Sequence, residues 1–149
     1  TSEGHKKIAV AIGDMWKKLL GVNVSLTNKE WKVYLSDRTA GNTQVFRAGW
    51  FGDYDDPNTF AEILYSQHGM NDVKYNNPAY DQLWQAALRE PDVAKRASLL
   101  QQAEALMIAD QPIIPLYFYI NVRVLKPWVK GYSPNMMDHH YAKDLDIIQ

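Results

Sequence analysis

The stretch RAGWFGDYDDPN, residues 47–58, gathers the side chains of this chain best suited to binding chemistry. Arg47 is a permanent cation whose donors form a planar fork. Asp53 supplies a carboxylate, and Trp50 sets an aromatic ring between the two charges. Gly49 and Gly52 lack a Cβ and so leave room for a ligand's backbone to come close. A short strand through Val45 to Trp50 puts Asp53 just beyond a strand end, where open α/β sheets bind their ligands. An anion at one end, a cation at the other and a ring between them suit a zwitterion with an apolar middle. A short peptide is such a molecule.

Other chemistry has less support. Asp53, Asp55 and Asp56 invite a metal, but a calcium loop counted from Asp53 needs Gly at its sixth position and Glu at its twelfth. Asn58 and Leu64 stand there instead. Asp53 could equally cap a turn or the helix that follows Pro57. Arg47 could pair with a surface acid, and Trp50 could belong to the core as readily as to a site. His139 and His140 are adjacent, so they share no helical face, and they read as part of a solvated loop rather than as metal ligands. The chain contains no HExxH, no GxSxG and no phosphate-cradling glycine loop. No spacing proposes an activated nucleophile or a paired acid and base, so the reading is a binding protein without cofactor or metal, not an enzyme.

The elements that must position these residues follow from periodicity. Ile8, Ile12, Met15, Trp16 and Leu19 recur at helical spacing, and Gly21 closes that helix. Val22, Val24 and Leu26 alternate with Asn23, Ser25 and Thr27 as in a half-buried strand. Trp31, Tyr34 and Leu35 return to helical spacing ahead of Gly41, and the short strand to Trp50 follows. Helix, strand, helix, strand predicts an α/β unit. Beyond the acidic loop, Pro57 to Tyr65 is expected as a short helix. One helix opens at Pro78 and stops before Pro91, and a second starts at Asp92 with Val93, Ala97, Leu100, Ala103 and Met107 as its buried stripe. These two form a helical hairpin. Ile113 to Leu125 is the longest strand expected: Leu116, Phe118, Ile120, Val122 and Val124 share one face, and Tyr117, Tyr119, Asn121 and Arg123 share the other. Leu145 to Ile148 adds a last short strand. Without repeats or linkers, residues 1–149 read as a single folding unit.

Composition narrows the classes. The chain has 149 residues, 46% of them apolar and 22% charged, which is enough for a packed core. A net charge of −1 gives no broad basic surface, which argues against nucleic acid as a partner. The longest apolar run, IIPLYFYI, is far short of the roughly 20 residues that cross a bilayer. There is no cysteine, hence no disulfide and no thiolate chemistry. Five Trp and nine Tyr serve core packing and also suit a site that must hold varied apolar side chains.

RAGWFGDYDDPNTF, the later PIIPLYFYINVRVLKPWVKGY and the opening HKKIAVAIGDMWKKLLGVNVSLTNKEWKVYL together resemble the C-terminal lobe of the periplasmic oligopeptide-binding proteins, the solute receptors of peptide-importing ABC transporters. The resemblance covers essentially the whole chain. It implies a partial C-terminal lobe of a type II-like periplasmic binding protein, α/β in class, with a mixed sheet flanked by helices. The N-terminal lobe and the signal peptide would then lie outside this chain. It implies short peptides and the ABC permease subunits as partners, a periplasmic location, and a position peripheral to the membrane. By the same resemblance Asp53 pairs with the peptide's α-amino group. Arg47, Arg38 and His5 lie towards its carboxylate, Trp50 and Tyr119 flank it, and Phe51 is close by. Readings of other classes are the same fold tuned to a murein peptide, a dipeptide or a metal chelate, and an unrelated aromatic-rich carbohydrate-binding module or enzyme. With half of a two-lobed cleft absent, an isolated chain is expected to bind peptide weakly and to self-associate through an unpaired sheet edge.

Overall fold

Ser2 begins the first helix by accepting a hydrogen bond from the His5 amide at 3.2 Å, and α1 runs Glu3–Leu20. Its end is set by Gly21, whose φ of 69° is the left-handed conformation that glycine adopts without a steric penalty. The computed structural model describes residues 2–148. Their contacts group the chain into two compact units, one up to Gln44 and one from Val45 onward. The sequence gives no composition break at that point.

In the first unit, α1 is followed by residues 21–30, which form neither helix nor strand, and by α2, Trp31–Ala40. The expected strand at Val22 to Leu26 is therefore absent; Val24 instead lies over α1, with its Cβ 3.6 Å from where a side chain on Gly13 would begin. Glu30 caps α2 through the amides of Lys32 and Val33. Of the apolar stripe on α1, Ile8, Ile12 and Trp16 are half-buried, while Met15 and Leu19 face solvent.

The second unit carries the core. A short α3, Asn58–Ala61, continues as a 3₁₀ turn, Glu62–Leu64. Asn77 then caps α4, Pro78–Arg89, by accepting from the Ala79 and Tyr80 amides, with Pro78 in the first turn. Asp92 caps α5, Val93–Asp110, by accepting from Lys95 N. The two helices pack on each other as the expected hairpin. Leu64, Tyr75, Tyr80 and Ala103 form the buried cluster, with Ile63, Val73, Leu83, Trp84, Leu106 and Met107 against it. The stripe on α5 is buried at Leu100 and Ala103 and half-buried at Met107, whereas Ala97 is exposed and Val93 in the first turn is 81% exposed. Burial of the phenols is matched by partners: Tyr80 Oη donates to Ala61 O at 2.8 Å, and Tyr75 Oη to Asp110 at 2.7 Å. Burial pushes the Tyr75 hydroxyl up to about 12, with the Asp110 carboxylate adding to the shift.

The mixed sheet expected from the sequence is not formed by the described residues. They contain one antiparallel pair, β1 (Val129–Lys130) with β2 (Asp146–Ile147), in the register Val129 to Ile147 and Lys130 to Asp146. Val45 to Trp50 and Ile113 to Leu125 belong to no strand ladder. The reason is physical: a strand exists only where a neighbour accepts its backbone hydrogen bonds. Among the described residues 113–125 takes part in no such ladder. The period-two pattern nonetheless survives in how the side chains are used. Phe118 is 96% and Val124 90% exposed. Tyr117, Tyr119, Asn121 and Arg123 on the alternate face all contact other side chains.

The β1–β2 pair depends on one glycine. Gly131 has φ 79°, and a Cβ built on it would fall 1.7 Å from the carbonyl oxygen of Asp144. Gly131→Ala must shift the backbone and also hold a left-handed residue, which costs on the order of 1–3 kcal/mol before the clash is counted. We expect it to break the pair. Hydrogen exchange reads this out at the Ile148 amide, which donates to Trp128 O at 2.9 Å; an Ile148 amide as protected as in the parent would contradict the assignment.

Candidate functional site

The acidic loop is held from behind, by the helical hairpin and by α3. The Asp53 amide donates to Thr59 Oγ1 at 3.0 Å, and Thr59 is fully buried. Buried Asn58 is a hub. Its amide donates to Asp56 Oδ1 (2.8 Å), its Nδ2 to Tyr54 Oη (2.7 Å) and Glu62 (3.1 Å), and its Oδ1 accepts from Trp84 Nε1 of α4 (2.8 Å). Arg96 of α5 grips both oxygens of Asp56, at 2.8 and 2.7 Å. Those hydrogen bonds hold the Asp56 carboxyl below the usual carboxylate range, and the same pairing raises Arg96.

These contacts assign different jobs to the three acids. Asp56, not Asp53, accepts the Asn58 amide where α3 begins, and no side chain caps that helix. The Asp53 carboxylate stays exposed, and among the described residues no side chain pairs with it. The glycines also separate. A Cβ on Gly52 would lie 3.1 Å from Thr59 Cγ2 and 3.3 Å from Tyr54 O, so Gly52 is needed by the protein's own packing. A Cβ on Gly49 would make ordinary contact with Tyr119 at 3.6 Å. The space beside both is taken by the chain itself rather than left for a ligand's backbone.

Arg47, Phe51 and Tyr119 come together although up to 72 residues separate them in sequence. Arg47 Nη2 donates to Tyr119 Oη, and the guanidinium carbon lies 5.6 Å from the Tyr119 ring centre. Phe51 meets that ring at 5.5 Å with a 33° tilt, and Tyr117 meets it edge-on at 5.2 Å. Arg47, Phe51 and Tyr119 remain exposed, so the group presents a cation and several ring faces outward. Trp50 is half-buried, and its indole Nε1 is buried with no hydrogen-bond partner among the described residues. An orphaned donor of this kind is costly and uncommon in a finished core.

The other two predicted residues lie in the first unit. Arg38, in the last turn of α2, donates to Tyr34 Oη at 3.4 Å and stands 5.6 Å from its ring centre; Trp31 stacks on the same ring at 5.4 Å. His5 sits half-buried in the first turn of α1. A cavity of about 190 Å³ in the second unit is lined by Tyr132, His139, His140 and Asp144 among others, and by none of the predicted site residues. Of the two histidines His139 is exposed, whereas His140 is not part of a solvated surface: it stacks on Tyr132 at 4.5 Å and bonds Asp138 at 2.6 Å, with its side chain 14% exposed. Among the described residues no three acidic or histidine groups are placed to hold a metal ion.

Sequence reasoning did not single out Tyr117, Asn58, Thr59, Trp84 or Arg96. Tyr117 was within reach, since it precedes Tyr119 by two residues on one face of an extended segment. The others join residues far apart in the chain, and local spacing carries no sign of such pairs.

Known proteins resemble the chain along its whole length. The profile of the bacterial extracellular solute-binding proteins, family 5 (middle portion), matches residues 1–72. The chain is similar over its whole length to the periplasmic murein peptide-binding protein of Escherichia coli (45% identical) and to the periplasmic oligopeptide-binding protein of Salmonella typhimurium (43%). It also superposes, at a TM-score of 0.88 and 40% identity over all of the chain, on the crystal structure of the Haemophilus influenzae oligopeptide-binding protein in complex with the peptide RPPGFSPFR. Over its whole length the chain is thus similar to peptide-binding members of the extracellular solute-binding proteins. It spans 28% of the length of the two relatives named first and 30% of that crystallised chain.

The segment bearing Tyr119 is tied down by one acid. Asp138 accepts from Asn121 Nδ2 at 2.6 Å and from Arg123 Nη2 at 2.5 Å, beside His140. Arg123 first, then His140, hold its carboxyl down at about 2 from the ordinary 3.8. A depressed acid contributes stability above its unfolded value and loses that contribution as pH falls through the folded one. Asp138→Asn, which keeps a residue tolerant of the φ of 52° found here, should therefore lower the urea midpoint at pH 7. The gap to the parent should close as pH drops from about 4 towards 2. A gap that is constant with pH would mean the acid is not paired as described.

Proposed function

We propose that this chain forms most of the C-terminal lobe of a periplasmic receptor that captures short oligopeptides between two lobes and hands them to an ABC permease. The observation that carries this reading is Asp53. In a chain alike throughout to peptide-binding relatives, it is an exposed carboxylate that pairs with no side chain among the described residues, while neighbouring Tyr54, Asp56 and Asn58 are engaged. In this reading the carboxylate meets the peptide's protonated amine once a second lobe closes over it, where water is displaced and a charge-assisted bond gains strength. Arg47 lies towards the peptide's carboxylate, and Tyr119, Phe51 and the Trp50 indole lie along the peptide. Arg38 and His5 serve its carboxylate end. The rings and bridging water accept many side chains, so selection falls on the peptide's ends more than on its sequence. The protein acts by binding and carries out no reaction.

Two outcomes test this. In the full-length protein, Asp53→Ala should weaken peptide binding by about 30-fold or more in calorimetry, since removing one partner of a desolvated pair costs about 2–5 kcal/mol. Its circular dichroism should be unchanged, and equal affinity would take Asp53 out of the site. Murein tripeptide titrated beside unrelated tripeptides then separates a murein receptor from a general one.

The chain by itself should bind peptide weakly and associate through its bare face. Phe118, Ile120, Val122 and Val124 are each more than four-fifths exposed, an apolar row open to a second copy of the chain. Sedimentation should show oligomers that Val122→Lys with Val124→Lys disperses. A monomeric parent with tight peptide binding would contradict both points.

A further inference from the structure

We propose that Arg96 is a positioning residue for peptide capture, acting from α5 through Asp56 on the carboxylate of Asp53; this rests on the amine-binding reading of Asp53 given above. Arg96 never has to touch the ligand. Its fork holds both oxygens of Asp56 at 2.8 and 2.7 Å, and Asp56 in turn accepts from the Asn58 amide at 2.8 Å. The Asp56 amide donates to Tyr54 O at 2.9 Å, and its carbonyl accepts from the Thr59 amide at 3.2 Å. Thr59 then receives the amide of Asp53 itself. From Arg96 on α5 the path crosses to Asp56 in the loop and from there to Asp53 through hydrogen bonds of the loop and the short α3.

Arg96 is also the right residue for such a task. Both members of the pair are only partly open to water, with side chains 26% and 32% exposed. The bidentate contact fixes orientation as well as distance, which a lysine's point charge does not. The Lys18–Asp14 pair on α1, with side chains 71% and 54% exposed, has no such leverage. A binding group gains most when its supporting shell sets its direction in advance, because ordering then need not be supplied on binding. Arg96 ties that shell to the hairpin, the most firmly packed part of the second unit.

A double-mutant cycle in the full-length protein tests this. Arg96→Ala should weaken binding of a free-amine tripeptide by roughly threefold or more, and Arg96→Lys by less. In an Asp53→Ala background either substitution should change affinity little, since the group it positions is gone. Should Arg96→Ala fail to fold, the cycle is run with Arg96→Lys alone. An equal loss with and without Asp53, or no loss in the parent, would overturn the positioning role. No effect of Asp53→Ala by itself would instead overturn the amine-binding reading, which the same four proteins reveal.

Discussion

Three carboxylates within four residues repel one another, and a loop that carries them needs a reason to hold one shape. Here the reason is the two-oxygen grip of Arg96 on Asp56, backed by the Asn58 hub and the Trp84 indole. The grip neutralises one acid, ties the loop to the hairpin and leaves Asp53 facing water. Around it the polar groups are satisfied, as burial demands. Without it, the loop would be free to rotate its acids into any of several solvated arrangements.

The hairpin can provide this support because its own core is well matched. Tyr75 and Tyr80 meet edge to face at 5.3 Å, and Tyr65 stacks on Trp84 at 4.4 Å. Buried Asn71 donates to the carbonyls of Tyr65 and Tyr75 and accepts from the Tyr75 amide. Trp84 thus serves twice, with its ring in the core and its N–H on the loop. The two layers of the site are joined by single residues of this kind.

On the other side, residues 113–125 behave as a strand waiting for neighbours. Their polar and aromatic face is engaged: Tyr119 with Arg47 and Phe51, Tyr117 with Tyr119, Asn121 and Arg123 with Asp138. Their apolar face is bare. Burial normally runs the other way in a half-buried strand. The family relatives are more than three times the length of this chain, and the bare face is where further polypeptide would bring the largest gain in burial.

Local chemistry was legible wherever a residue acts on its near neighbours. Gly21, Gly41, Pro78 and Asp92 mark helix ends that the structure places where the sequence does, because capping depends on residues within one turn. Alternation in 113–125 assigned its two faces correctly but not their burial, since burial is a property of what lies opposite. The candidate ligand residues were singled out by type and family likeness, and their roles rest on the tests above. By itself, the sequence determined the helices, several of their ends, the pairing of α4 with α5 and the likeness to peptide-binding proteins. Tertiary structure decided which acid is held and which is left open, that Arg47 reaches Tyr119, that Gly52 serves packing, and that the sheet is not built here. Each of these joins groups remote in the chain, and only folding puts their charges and backbone donors within reach of one another.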